Sequence, residues 1–181
     1  EHLYRKLRGE WLPHSPTNGR GSISHSHVLA PPMRNATGVE SVLKKLLQKA
    51  AMRLRSEKLV AGRLEVKVRY LGCTSWKETV FCNDTDDSHT LLVQLSELLS
   101  HRPVGGRPLA VAVALSDLCE RTGTTDDLFA TAQAKEHTPL SALMDRINDR
   151  FGPQKISYAS SQAAAKEAPM RIAFSRIPDV A

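Results

Sequence analysis

The sequence predicts a two-layer α+β domain: a four-stranded sheet with two helices on one face, in the order strand, helix, strand, strand, helix, strand. A C-terminal helix and short strands follow it. Three observations carry this expectation. Four segments alternate apolar and polar residues with the period of a strand. Two longer segments carry leucine stripes at helical spacing. Pro- and Gly-rich breaks separate them.

Residues 1–12 read as the end of a helix, with Leu3, Leu7 and Trp11 at helical spacing, and residues 13–21 as a linker rich in Pro, Ser, Asn and Gly. The chain opens inside that helix without Met, as a piece cut from a longer protein would. Residues 22–29 form the first strand, closed by Ala30-Pro31-Pro32. Thr37-x-x-Glu40 has the form of a capping box, in which a hydroxyl and a carboxylate satisfy free amides at a helix start. The helix it opens places Val39, Leu43, Leu46, Leu47, Ala50 and Leu54 on one stripe, with Lys44, Lys45, Lys49, Arg53 and Arg55 off it.

A hairpin follows, turning at residues 72–75. Its first strand sets Leu64, Val66, Val68 and Tyr70 against Glu65, Lys67 and Arg69. Its second sets Trp76, Glu78, Val80 and Cys82 against Lys77, Thr79 and Phe81. The next helix starts near Asp87 and buries Leu91, Leu92, Leu95, Leu98 and Leu99. The fourth strand turns Leu109, Val111, Val113 and Leu115 inward and Ala110, Ala112, Ala114 and Ser116 outward. Residues 22–118 thus form one domain and 119–181 a C-terminal extension. In the extension, Thr138-Pro139 starts a helix over 139–151 with the stripe Leu140, Leu143, Met144, Ile147 and Phe151. Gly152 stops it, 155–160 reads as a short strand and 170–177 as a last one.

Charge is distributed unevenly. Residues 1–70 hold 14 Lys and Arg against 5 Asp and Glu, whereas residues 71–181 hold 11 against 14. A one-sided basic block suits a polyanion, because phosphate neutralisation releases condensed counterions. Two helices on one sheet face leave the other face bare, carrying Lys67, Arg69 and Lys77 beside a row of alanines. Small residues let a phosphate backbone come close and the cations attract it. The solvent side of an ordinary antiparallel sheet is also polar, so from these residues alone both readings stand.

Catalytic patterns fail one by one. The three cysteines have no zinc or disulfide spacing. His25 and His27 share one side of a strand without a third ligand in sight. Asp84, Asp86 and Asp87 lack the glycine and distal glutamate of a calcium loop, and helix capping accounts for Asp87. No phosphate loop or nucleophile elbow occurs. No apolar run approaches the roughly 20 residues of a membrane span, so no membrane partner is expected.

Taken in order, Arg20-Gly21-Ser22-Ile23-Ser24-His25-Ser26-His27-Val28-Leu29 resembles the strand that opens the little-finger domain of Y-family translesion DNA polymerases. Residues 4–10 resemble the end of their thumb domain, and Leu128-Phe129 followed by residues 140–152 is similar to the C-terminal extension of the polymerase IV and V types. The resemblance implies a non-catalytic DNA-binding domain that grips the primer-template duplex. It places Arg20, Ser22, Ile23, Ser24, His25 and His27 at phosphate contacts, partly through backbone N–H groups. Lys67, Arg69, Lys77 and Thr79 fall on the DNA-facing strands. Gly21 stands where the family has a basic residue, with Arg20 adjacent. Of the family's clamp-binding motif only Leu128 and Phe129 remain, and these are what the resemblance offers a sliding clamp. It further implies a bacterial, cytoplasmic, nucleoid-associated protein of DNA repair and the SOS response. No cofactor is expected here, since Mg2+ belongs to the palm domain, which this chain lacks. The alternative is a protein-interaction module of a polymerase-like scaffold, an inactive homologue docking a partner through residues 140–151 and the last strand.

Overall fold

The computed structural model describes residues 8, 21–72, 74–103, 105–121, 132–152 and 155–165, with backbone alone for 132–139. The expected helix end at 1–12, most of the linker at 13–21, and the strand at 170–177 lie outside the described residues.

Strand β1 (Ser22–Val28) leads through a 3-10 turn (Pro31–Met33) into helix α1 (Ala36–Ser56). Strands β2 (Leu59–Tyr70) and β3 (Ser75–Thr85) make the hairpin, helix α2 (Ser88–Ser100) follows, and β4 (Pro108–Glu120) completes the sheet. The sheet order is β1-β4-β2-β3, antiparallel throughout. The connection β1-α1-β2 therefore steps over β4, and β3-α2-β4 steps over β2. Long crossovers of this kind need a helix, and both helices lie on the same side.

Between the layers sits the core. Ile23, Leu64, Val66, Val68, Val111, Val113 and Leu115 meet Val39, Leu43, Leu46, Leu47, Leu54, Leu91 and Leu95, all buried. Alternation on each strand and the 3.6-residue stripe on each helix supply these two faces, and each fully buried Leu or Val contributes about 1.5–3 kcal/mol.

Both helices are capped by side chains. Asp87 accepts from the Thr90 amide at 2.8 Å, as its position before α2 predicts. The capping box at Thr37 does not form. Asn35 is the cap of α1, accepting from the Gly38 amide at 2.7 Å and donating to the Pro32 carbonyl at 2.9 Å. Asn caps as well as Thr does, and here it also ties the turn before it. Glu40 instead pairs with Lys44 one helical turn on.

The extension differs more. Helix α3 (Ala132–Phe151) begins before Pro139, which lies inside it. The good helix formers Ala, Gln, Lys and Glu ahead of the proline favour this. Residues 155–160 form no strand; a 3-10 helix spans Ala159–Ala164. Two basic residues of α1 hold the extension. Lys45, 5% exposed, donates to the carbonyls of Ala164 and Ala165 at 2.9 and 2.7 Å. Arg55 grips Asp145 with two nitrogens at 2.6 and 3.0 Å and donates to the Asp86 carbonyl and Ser88 Oγ. Ser141 Oγ donates to Asp87 at 2.9 Å. So α3 docks by its polar side, and Leu140, Leu143 and Phe151 of its apolar stripe are exposed.

Candidate nucleic-acid interface

The sheet face away from α1 and α2 is uncovered by any described element, and strand register orders its side chains into rows. One row reads Val28, Ala110, Arg69, Ser75; the next Ser26, Ala112, Lys67, Lys77. Then come Ser24, Ala114, Glu65, Thr79 and finally Ser22, Ser116, Arg63, Phe81. Apart from Val28, serines and alanines occupy the β1 and β4 half, while Arg63, Glu65, Lys67, Arg69 and Lys77 stand in the β2 and β3 half beside Ser75, Thr79 and Phe81. The result is a shallow floor beside a raised cationic wall.

The cations differ in their engagement. Lys77 pairs with Glu65 at 2.8 Å, and Arg63 with Asp117 at 3.0 Å. Lys67 and Arg69 are exposed and make no ion pair among the described residues. Exposed pairs such as Lys77–Glu65 are worth at most about 1 kcal/mol, so a phosphate can exchange for the carboxylate cheaply. Lys67, Arg69, Lys77 and Thr79 thus share one face.

The other residues singled out by sequence divide between the two faces. Ser22 and Ser24 point to the open side. Ile23 is 1% exposed and belongs to the core, so only its backbone is on offer. His25 and His27 share its side of the strand and face the helical layer. Burial, then the positive charges of Lys49 and Arg53 on α1, hold the His25 imidazole below its ordinary value. Its Nε2 is buried without a hydrogen-bond partner. As an edge strand, β1 turns part of its backbone N–H groups outward, which leaves a main-chain route to phosphate beside the serines. Arg20, Leu128 and Phe129 lie outside the described residues.

One member of the face, Arg63, escaped sequence reasoning, and Phe81, which alternation sets beside Lys77 and Thr79, received no role there. The Arg63 guanidinium lies 4.8 Å from the Phe81 ring centroid, and Phe81 is 73% exposed. The register irregularity here lies on β3, where the step from Phe81 to Thr85 answers the step from Arg63 to Ala61, and Arg63 keeps the alternation of Lys67 and Glu65. Counting back from Lys67 in steps of two is the signal that finds it.

Among the described residues no three His, Cys, Asp or Glu side chains converge as a metal site. The acidic trio diverges: Asp86 goes to Arg121 and Asp87 to Thr90 and Ser141. Burial still holds the Asp86 carboxyl above its ordinary value despite Arg121 and Arg55. A cavity of about 450 Å³ lies on the helical side between α1, α3 and the last 3-10 helix, lined by Gln48, Lys49, Met52, Met144 and Tyr158 among others. No described helix is long and apolar enough to cross a membrane.

The family described as "impB/mucB/samB family C-terminal domain" matches residues 20–128. No curated protein sequence matches the chain. Among solved structures, the chain is similar to "Complex of beta-clamp processivity factor and little finger domain of PolIV", at 15% identity and a TM-score of 0.44, over 60% of this chain and 99% of that one. It is also similar to "Insertion ternary complex of Dbh DNA polymerase", at 11% identity and a TM-score of 0.49. A third, "Y-family DNA polymerase chimera Dbh-Dpo4(243-245)-Dbh", has 17% identity and a TM-score of 0.45. The last two likenesses each cover 66% of this chain and 35% of the polymerase, so the chain spans about a third of their length. By the family match over residues 20–128, the chain belongs to the impB/mucB/samB family, whose C-terminal domain is the little finger of Y-family DNA polymerases.

Proposed function

We propose that this domain binds duplex DNA through its open sheet face, as the non-catalytic arm of a translesion polymerase in DNA repair. The observation that carries the reading is the pair Lys67 and Arg69, exposed and without ion pairs among the described residues, beside a floor of Ala110, Ala112 and Ala114. Small side chains admit a phosphate backbone, and unneutralised cations attract it without reading sequence. Ser22, Ser24 and the outward amides of β1 extend the contact to a second strand of the duplex. The chemistry of polymerisation, with its paired carboxylates and Mg2+, belongs to a palm domain outside this chain. A sliding clamp is a further partner, by way of Leu128 and Phe129; the similar little finger domain of PolIV is itself held in a complex with a beta-clamp. Bacterial, nucleoid-associated localisation and a role in the SOS response follow from the same reading.

The test is the salt dependence of duplex affinity. Neutralising about four phosphates gives a slope of log affinity against log salt near −3.6, with little change between sequences. A flat dependence overturns the reading. It would favour the alternative, a protein-interaction module, to which the exposed Leu140, Leu143 and Phe151 of α3 lend support.

A further inference from the structure

We propose that Phe81, with Arg63 stacked on it, is a shelf for one unpaired nucleobase at the end of the DNA-binding face; this rests on the duplex-binding reading above. An exposed phenylalanine alone means little, since folded surfaces carry many apolar atoms. Its company singles this one out. Phe81 stands on the edge strand β3, on the same side as Lys77 and Thr79, and 73% of it is exposed. Arg63 reaches across from β2 and sets its guanidinium 4.8 Å from the ring centroid. One guanidinium nitrogen bonds Asp117 at 3.0 Å, while Nε is buried without a hydrogen-bond partner. The plane is thus held by the ring and one carboxylate, and most of the ring remains open.

A phosphate has no use for such a surface. A phenyl ring and a guanidinium plane recognise flat π-systems, and unpaired bases stack on both. Bases inside a duplex already spend their faces on each other, so the shelf selects an unstacked one. Position agrees with this. Phe81 lies four residues along β3 from Lys77, about 13 Å at the rise of a strand. That is about four base steps of duplex at 3.4 Å each. A duplex held at Lys67, Arg69 and Lys77 therefore reaches the Phe81 row within a few steps, and a base leaving the helix there meets the ring.

The experiment uses this chain with a blunt duplex, the same duplex carrying a single-stranded extension with 2-aminopurine beside the junction, and an extension that is abasic there. The wild type should bind the base-bearing extension more tightly than the abasic one and quench its fluorescence. Phe81→Ala should leave blunt-duplex affinity within about two-fold and remove the preference, a loss of about five-fold or more for one stacked base. Phe81→Tyr should keep the quench and Phe81→Leu, which keeps bulk without a π-face, should lose it. Equal affinity of the wild type for base-bearing and abasic extensions, or a preference that survives Phe81→Ala, overturns the shelf. If salt-dependent blunt-duplex binding persists in that case, the shelf fails alone; if binding shows no salt dependence, the duplex reading fails with it. Salt-independent retention of another protein through Phe81 would likewise overturn both.

Discussion

Lys49 shows how the helical layer loads a single residue with electrostatic cost. Burial and the neighbouring charge of Lys45 bring its ammonium down to about 8 from an ordinary value of 10.5. The unfolded chain then holds this proton more tightly than the folded one. The cost is fully present below about pH 8 and fades as pH rises toward 10.5. Lys49→Met is expected to raise the melting temperature at pH 7, and the gain should shrink between pH 8 and 10.5; a constant gain would show that packing, not charge, is responsible. His25 is depressed too, so its contribution runs the same way lower on the scale: stability is lost as pH falls through its unfolded value near 6.5. Steric cost dominates at Gly38. A Cβ there would lie well inside contact distance of the Met33 backbone carbonyl. Gly38→Ala should therefore destabilise the fold by about 1–3 kcal/mol, measured by urea unfolding, although alanine is the better helix former.

Among the elements, α3 is the informative one. Its stripe of Leu140, Leu143, Met144, Ile147 and Phe151 suggests a helix packed by apolar contact, yet three of the five are exposed. The docking is polar instead, made by Asp145 on Arg55 and Ser141 on Asp87. The Arg55 side chain is only 8% exposed, so removing its carboxylate leaves a nearly buried cation with two neutral acceptors. Asp145→Ala should cost about 3 kcal/mol, read as a lower urea midpoint. Ile147→Asp, at a half-buried position, should cost less. The reverse ranking would mean that the apolar stripe, not the ion pair, holds the helix. Periodicity could not have distinguished these cases, because a stripe records which residues share a face and not whether anything covers it.

The whole molecule separates its cations by layer. On the sheet side Lys67 and Arg69 are open to a ligand, whereas on the helical side Lys45 and Arg55 are consumed by the extension. Charge reversal on the two sides is therefore a test of location. Lys67→Glu with Arg69→Glu should bring the salt slope of DNA binding from roughly −3.6 to about −1.8. Arg146→Glu with Lys155→Glu, exposed on the extension, makes the same change in net charge and should leave the slope near its wild-type value. Equal losses would mean that long-range field, which acts without contact, governs binding. Lys45 and Lys49 are unsuitable as that control, because Lys45 is buried and its reversal would break the anchor.

By itself the sequence determined the element order, the inward set of each strand and the stripe of each core helix. These depend on local periodicity, which a single chain displays in full. It also determined the bare face with Lys67, Arg69 and Lys77, since alternation fixes the side once one side is buried. Only tertiary structure decided the rest. The sheet order placed Ala112 beside Lys67 and Ser24 beside Ala114, a pairing of residues distant in sequence. Strand pairing set Arg63 opposite Phe81, a cross-strand contact that spacing within either strand does not report. His25 and His27, offered to DNA by their motif, face the helices because Ile23 must enter the core and strand parity carries them with it. Lys45 and Arg55, off the stripe, are covered because a later segment folds back over them. Such burial depends on which distant segment arrives, and local patterning carries no record of that.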